Sequence, residues 1–169
     1  MRHNYGITFL LLAAIQLLIC NYLNISAYIT ISLLPVLILC FPTRFSTLSA
    51  MLVAFATGLA TDLLAEGTIG LNVFALLPVA AVRRTLCDWI FGQEISLLDE
   101  DISIRKFGAL KMTFAISVAY AVFLLFYIAA DGGPARPVLF NLIRFGCSLI
   151  PGVLISLLAA RVLDPYGGR

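Results

Sequence analysis

Residues 109–130 read ALKMTFAISVAYAVFLLFYIAA, and their only charge is Lys111 at the start. A helix needs about 20 predominantly apolar residues to cross a hydrocarbon core of about 30 Å, and this run supplies them. Working outward, comparable runs predict helices at about 5–23, 27–41, 46–65, 69–82 and 138–160. Six such helices would use about 120 of the 169 residues. The expected fold is therefore all-α: a polytopic bundle of six transmembrane helices forming one integral membrane domain over 1–169, with a connection at 83–108.

Composition supports that reading. Hydrophobic residues make up 62% of the chain and charged residues 12%, against roughly half and a quarter in soluble domains. A soluble globular domain, a disordered chain and a disulfide scaffold are excluded. A β-barrel is not expected, because its strands would alternate apolar and polar residues and the apolar runs here are continuous. The four cysteines form no CxxC pair and have no histidine near them, since His3 is the only one; they read as small apolar residues. No basic run or aromatic RNA-binding signature points to nucleic acid.

The N-terminus, Arg2 and His3 before the apolar run 7–20, resembles a secretory signal without a small-residue cleavage site, and reads as a retained anchor. The fourth helix is the shortest and holds Asn72 and Pro78. It either tilts, extends past Arg83 or re-enters where protein shields its backbone. Within 83–108, Ser96-Leu97-Leu98-Asp99 resembles a capping box opening a short helix, with Trp89 at headgroup depth.

Loop charges orient the crossings, because Lys and Arg are retained on the cytoplasmic side. Six spans with a cytoplasmic N-terminus place Arg2, Arg44, Arg83, Arg84, Arg105, Lys106, Lys111, Arg161 and Arg169 inside and Arg136 alone outside. Five spans would put a basic terminal cluster on the wrong side. Both termini are expected in the cytoplasm.

Charges within bilayer helices are costly and are paired or protein-facing. Asp62 and Arg144 are the two, both expected in the outer leaflet. Each ends a row of small residues spaced by four: Ser46, Ala50, Ala54, Gly58 before Asp62, and Ser148, Gly152, Ser156, Ala160 after Arg144. Such ridges let helices approach closely. Helices three and six docked along them would form an Asp62–Arg144 ion pair; the alternatives are that each charge snorkels to water or headgroups, or that one meets a partner protein. Glu66 and Arg136 would extend the pair into an electrostatic rim. Gln16, Asn21, Asn24, Asn72 and Asn141 are expected in interhelical hydrogen bonds, and Asn24-Ile25-Ser26 matches a glycosylation sequon too short to be specific. Pro35, Pro78 and Pro151 are expected to kink helices two, four and six. No HExxH, GxSxG, P-loop or Ser/His/Asp set occurs, so catalytic, cofactor and metal residues are not assigned and the chain is expected not to be an enzyme.

One set of pieces goes further. Phe41-Pro42-Thr43-Arg44, then Gly58-Leu59-Ala60-Thr61-Asp62-Leu63-Leu64, then Ile69-Gly70-Leu71-Asn72 resembles, in order and spacing, the rod shape-determining protein MreD family. The resemblance implies a non-enzymatic scaffold of the bacterial elongation machinery in the cytoplasmic membrane, without cofactor. Its implied partners are an MreC-like single-span protein and membrane lipid and, indirectly, MreB filaments, a RodA-type glycosyltransferase and a penicillin-binding transpeptidase. It implies a fold like the substrate-binding subunits of energy-coupling-factor transporters, with Pro42 and Arg44 in a cytoplasmic turn and Gly58, Asp62, Gly70 and Asn72 at the structural centre. The competing expectation is a solute-binding membrane subunit of a vitamin-type transporter, which needs an enclosed pocket with convergent polar groups.

Overall fold

The computed structural model describes residues 5–22, 29–43, 45–92, 108–132 and 136–163. All of its regular structure is helical: α1 (Tyr5–Tyr22), α2 (Leu34–Leu39), α3 (Thr47–Thr61) running into a π-helical turn (Asp62–Glu66), α4 (Leu71–Phe91), α5 (Ala109–Ala130) and α6 (Val138–Leu163). Three helical stretches are long and apolar enough to cross a membrane: Thr47–Ala65, Ala109–Ala130 and Val138–Leu163. Their exposed faces carry Leu48, Leu52, Phe55, Leu110, Phe114, Leu125, Leu142, Ile150 and Leu154. That much exposed apolar surface marks a chain made to be covered, by lipid or by protein.

Four helices pack in chain order, α3 on α4, α4 on α5 and α5 on α6, and α2 is wedged among them. Ring contacts give the direction of the α4–α5 pair. Phe74, early in α4, meets Phe126, late in α5, at 5.7 Å, and Trp89, late in α4, meets Phe114, early in α5, at 6.2 Å, so the two helices are antiparallel. All six residues of α2 are buried, and Leu37, Ile38 and Leu39 have no exposed surface. The core is thus built around the shortest helix.

Two predicted helices differ from the structure. The expected span at 27–41 is helical only over Leu34–Leu39, and residues 30–32 are non-helical. Pro35 explains the start. It sits in the first turn, where its missing N–H and fixed φ suit a helix beginning, so it opens α2 and does not kink a longer one. The fourth helix takes the extended form: it runs to Phe91, not to about 82. Its buried stripe, Asn72, Val73, Ala75, Leu76, Val79, Ala80, Arg83, Leu86, Cys87 and Phe91, keeps helical spacing throughout. Arg83 does not end the helix because it is buried in a structural role. Its Nε donates to the Leu39 carbonyl at 3.1 Å and its Nη2 to the Phe41 carbonyl, which satisfies backbone acceptors left over where α2 ends. The helices continue through Pro78 and Pro151. The Ser96–Asp99 capping box and the Asn24 sequon lie outside the described residues.

Candidate functional site

The polar groups of this apolar chain gather at two nodes. The first closes the α3–α4 hairpin. At Asp62 the α-helical ladder widens, and Gly67 N–H bonds to Asp62 O at 2.8 Å across five residues, the spacing of a π turn. Gly70 then takes φ +96°, a left-handed conformation that an L side chain would strain. This turn aims the first N–H groups of α4 at the Asp62 carboxylate. Oδ2 accepts from Gly70 N at 2.8 Å, and Oδ1 accepts from Asn72 N and Asn72 Nδ2, each at 2.9 Å. Asp62 is fully buried. A buried carboxylate is tolerable only when fully hydrogen-bonded, and a helix N-terminus adds a favourable dipole.

Gly58 lies one turn earlier on α3. A Cβ there would stand 2.9 Å from Val73 Cα and N, so the helices touch backbone to backbone. Ala50, Ala54, Gly58 and Thr61 are the buried face of α3. The row of small residues read from the sequence is therefore a packing ridge, and its partner is α4.

The second node holds the non-helical residues before α2. In an apolar bundle their backbone groups need partners, and side chains from three other helices provide them. Thr30 N donates to Ser148 Oγ of α6 at 2.9 Å, Ser32 N to the Tyr120 hydroxyl of α5 at 3.1 Å, and Leu33 N to Gln16 Oε1 of α1 at 2.6 Å. The Tyr120 hydroxyl donates in turn to Thr30 O at 3.1 Å. Tyr120 reaches across because its ring lies directly over Gly152, where a Cβ would collide with it. Arg144 completes the node: Nη2 donates to Thr30 Oγ1 at 3.1 Å and Nη1 to Asp131 Oδ2 at 2.5 Å.

The structure therefore brings Gly58, Asp62, Gly70 and Asn72 together and sets Arg144 and Gly152 in a different group. The expected Asp62–Arg144 pair is not formed. Both carboxylate oxygens of Asp62 are engaged by α4, and the partner of Arg144 is Asp131, which also pairs with Arg136 at 3.3 Å. The physical reason is that the two small-residue ridges face different neighbours, α3 packing on α4 and α6 on α5. The electrostatic rim accordingly forms around Asp131; the Glu66 side chain lies outside the described residues. Pro42 is buried in the turn between α2 and α3, where its carbonyl accepts from Phe45 N at 3.3 Å. Arg44 lies outside the described residues. Of the polar residues singled out, Gln16 and Asn72 hydrogen-bond as given above and Asn141 lines a groove between α5 and α6; the side chains of Asn21 and Asn24 lie outside the described residues.

Sequence reasoning missed Asp131, Tyr120 and Arg83 as structural residues. One signal was there for Tyr120, since a tyrosine in mid-span must place its hydroxyl. No group of three or more His, Cys, Asp or Glu able to hold a metal occurs among the described residues. Searched against known proteins, the chain matches no family model, no curated protein and no solved structure.

Proposed function

We propose that this chain is a non-enzymatic scaffold subunit in the cytoplasmic membrane of a bacterium, of the MreD kind, acting in cell elongation and the control of cell shape by binding an MreC-like single-span protein. One observation carries the reading. Gly58, Asp62, Gly70 and Asn72, four of the residues on which the resemblance rests, meet in a single buried node whose chemistry is structural, a carboxylate clasping a helix N-terminus. Through the single-span protein the subunit connects MreB filaments to a RodA-type glycosyltransferase and a penicillin-binding transpeptidase.

Six crossings with both termini in the cytoplasm are part of the proposal. Antiparallel α4 and α5 bring Arg83, Arg84 and Lys111 toward one end of the bundle. The α5–α6 register, with Arg144 near Tyr127 and Gly152 under Tyr120, brings Arg161 toward the same end. A shared basic end supports an inward-facing assignment.

The solute-binding alternative is less well supported. The groove between α5 and α6 is open on its side and lined, apart from Asn141, by apolar residues, whereas an enclosed site would need several convergent polar groups.

The test is site-specific photocrosslinking in living cells from exposed helix-flank positions such as Leu52, Leu142 and Leu154. The proposal expects capture of one single-span membrane protein from a contiguous set of positions. Recovery of lipid alone from every position would overturn it, and a small molecule co-purifying with the chain would favour the solute-binding reading.

A further inference from the structure

The long apolar helices end together on one side of the bundle and apart on the other. Gly58 of α3 meets Val73 of α4 backbone to backbone, and Phe74 of α4 meets Phe126 of α5. Counted outward from these contacts, Leu63 near the end of α3 stands level with the last residues of α5. Counted the other way, three turns along each helix, Thr47 at the start of α3 comes opposite Arg84, which shares the α3-facing side of α4 with Val73. Arg84 lies between the Phe74–Phe126 and Trp89–Phe114 ring contacts, so it stands beside about residues 115–118 of α5 once the lean of the side chains is allowed for. From there α5 runs on for about 10 Å to its first residue. The α6 helix, fixed by Gly152 under Tyr120, runs on about as far. The apolar span of α3 is accordingly the shortest, 19 residues against 22 in α5 and 26 in α6.

The short end is polar and uncovered. Arg84 is exposed, and so is Ser46, whose hydroxyl hydrogen-bonds with that of Ser49. A flat bilayer matched to α5 would hold the guanidinium and these hydroxyls roughly 10 Å inside the hydrocarbon, where an arginine is costly. Sliding the chain until Arg84 reached the surface would leave Trp89, Leu110 and Phe114, which are 74%, 89% and 51% exposed, in water. A leaflet that bends locally avoids both costs, since a bilayer thins beside a short span.

We infer that the chain thins one leaflet along its α3 flank, so that phospholipid headgroups and water rise about 10 Å to meet Arg84 and the start of α3, while the α5–α6 flank keeps a leaflet of full thickness. The partner is a lipid surface. The inference rests on the membrane placement and is independent of the scaffold role: failure to capture a single-span protein leaves it standing, and failure here leaves the scaffold reading standing.

The experiment uses the full chain with Trp89→Phe in vesicles of phosphatidylcholine and phosphatidylglycerol, so that one introduced tryptophan reports depth. Leu48→Trp and Leu154→Trp replace exposed residues at nearly the same height in the bundle, the first on α3 and the second two residues past Gly152 on α6. Depth is read from quenching by phosphatidylcholines brominated near the headgroup or near the chain end. The Leu48 probe should be about 10 Å shallower and quenched mainly by the first lipid, and the Leu154 probe mainly by the second. Equal depths would overturn the inference, whether both are deep, as expected if another protein is needed to cover the start of α3, or both shallow. At the other end, Leu63→Trp and Leu139→Trp should report similar depths; a difference as large there would mean a rigid tilt of the chain and would also overturn it. Arg84→Leu should carry the Leu48 probe deeper and Arg84→Lys should leave it in place, and an unmoved probe in Arg84→Leu would overturn the part given to the guanidinium. Circular dichroism checks that each variant retains its helices.

Discussion

The α3–α4 hairpin and the non-helical stretch before α2 solve one problem in two ways. Both must satisfy backbone polar groups in surroundings too apolar to let water do it. In the hairpin, one residue does so locally: Asp62 collects donors from residues 70 and 72, within a dozen positions of itself. Before α2 the work is divided among Gln16, Tyr120 and Ser148 on three helices, while Arg144 holds the Thr30 hydroxyl. A local clasp concentrates the energy in one side chain and spreads it over few contacts. A distributed cradle makes each member less important but ties α1, α5 and α6 to one short segment.

The contrast ranks the substitutions. The largest loss is expected for Asp62→Ala, which orphans the first N–H groups of α4 and removes a fully buried charge-assisted network, at about 3 kcal/mol. The check is reversible unfolding of the purified full chain in bicelles. A loss below that of Arg144→Ala would break the proposed order. Gly58→Ala comes next, at about 2 kcal/mol, because its Cβ meets Val73 backbone, which cannot rotate away as a side chain would. A crosslink between cysteines placed on exposed α3 and α4 positions should become slower as the helices part.

Tyr120→Phe keeps the ring over Gly152 and removes only the hydroxyl, which serves both Ser32 N and Thr30 O. About 1 to 2 kcal/mol is expected, with hydrogen exchange quickening at Ser32 and leaving Asn72 unchanged. Exchange rising equally at both amides would mean that the two nodes are one cooperative unit. The smallest effect is expected for Arg136→Gln, below about 1 kcal/mol, since that ion pair is exposed.

The same contrast explains what the sequence made legible. Span positions at 109–130 and 138–160 rest on continuous apolar runs, and α5 matches its expected limits while α6 runs three residues further. The hairpin node was readable as Gly58, Asp62, Gly70 and Asn72 because all its members lie close together in the chain. The second node was not, because nothing local connects Thr30 with Tyr120 and Ser148. Arg144 reads from the sequence as a buried charge needing a partner, but its partner is Asp131 and not Asp62. Two small-residue ridges do imply two close helix contacts, but spacing alone does not say which neighbour each ridge meets. The 27–41 span failed for a related reason. Hydropathy measures side chains, whereas the break before α2 is a backbone event that a proline and distant hydroxyl groups make possible.

The partnering of Arg144 is the central claim, and a pair of double-mutant cycles in bicelles tests it most directly. Arg144→Ala combined with Asp131→Ala should show a coupling of at least about 0.5 kcal/mol, whereas Arg144→Ala combined with Asp62→Ala should be additive to within about 0.5 kcal/mol. Strong coupling between Arg144 and Asp62, with none between Arg144 and Asp131, would contradict the account.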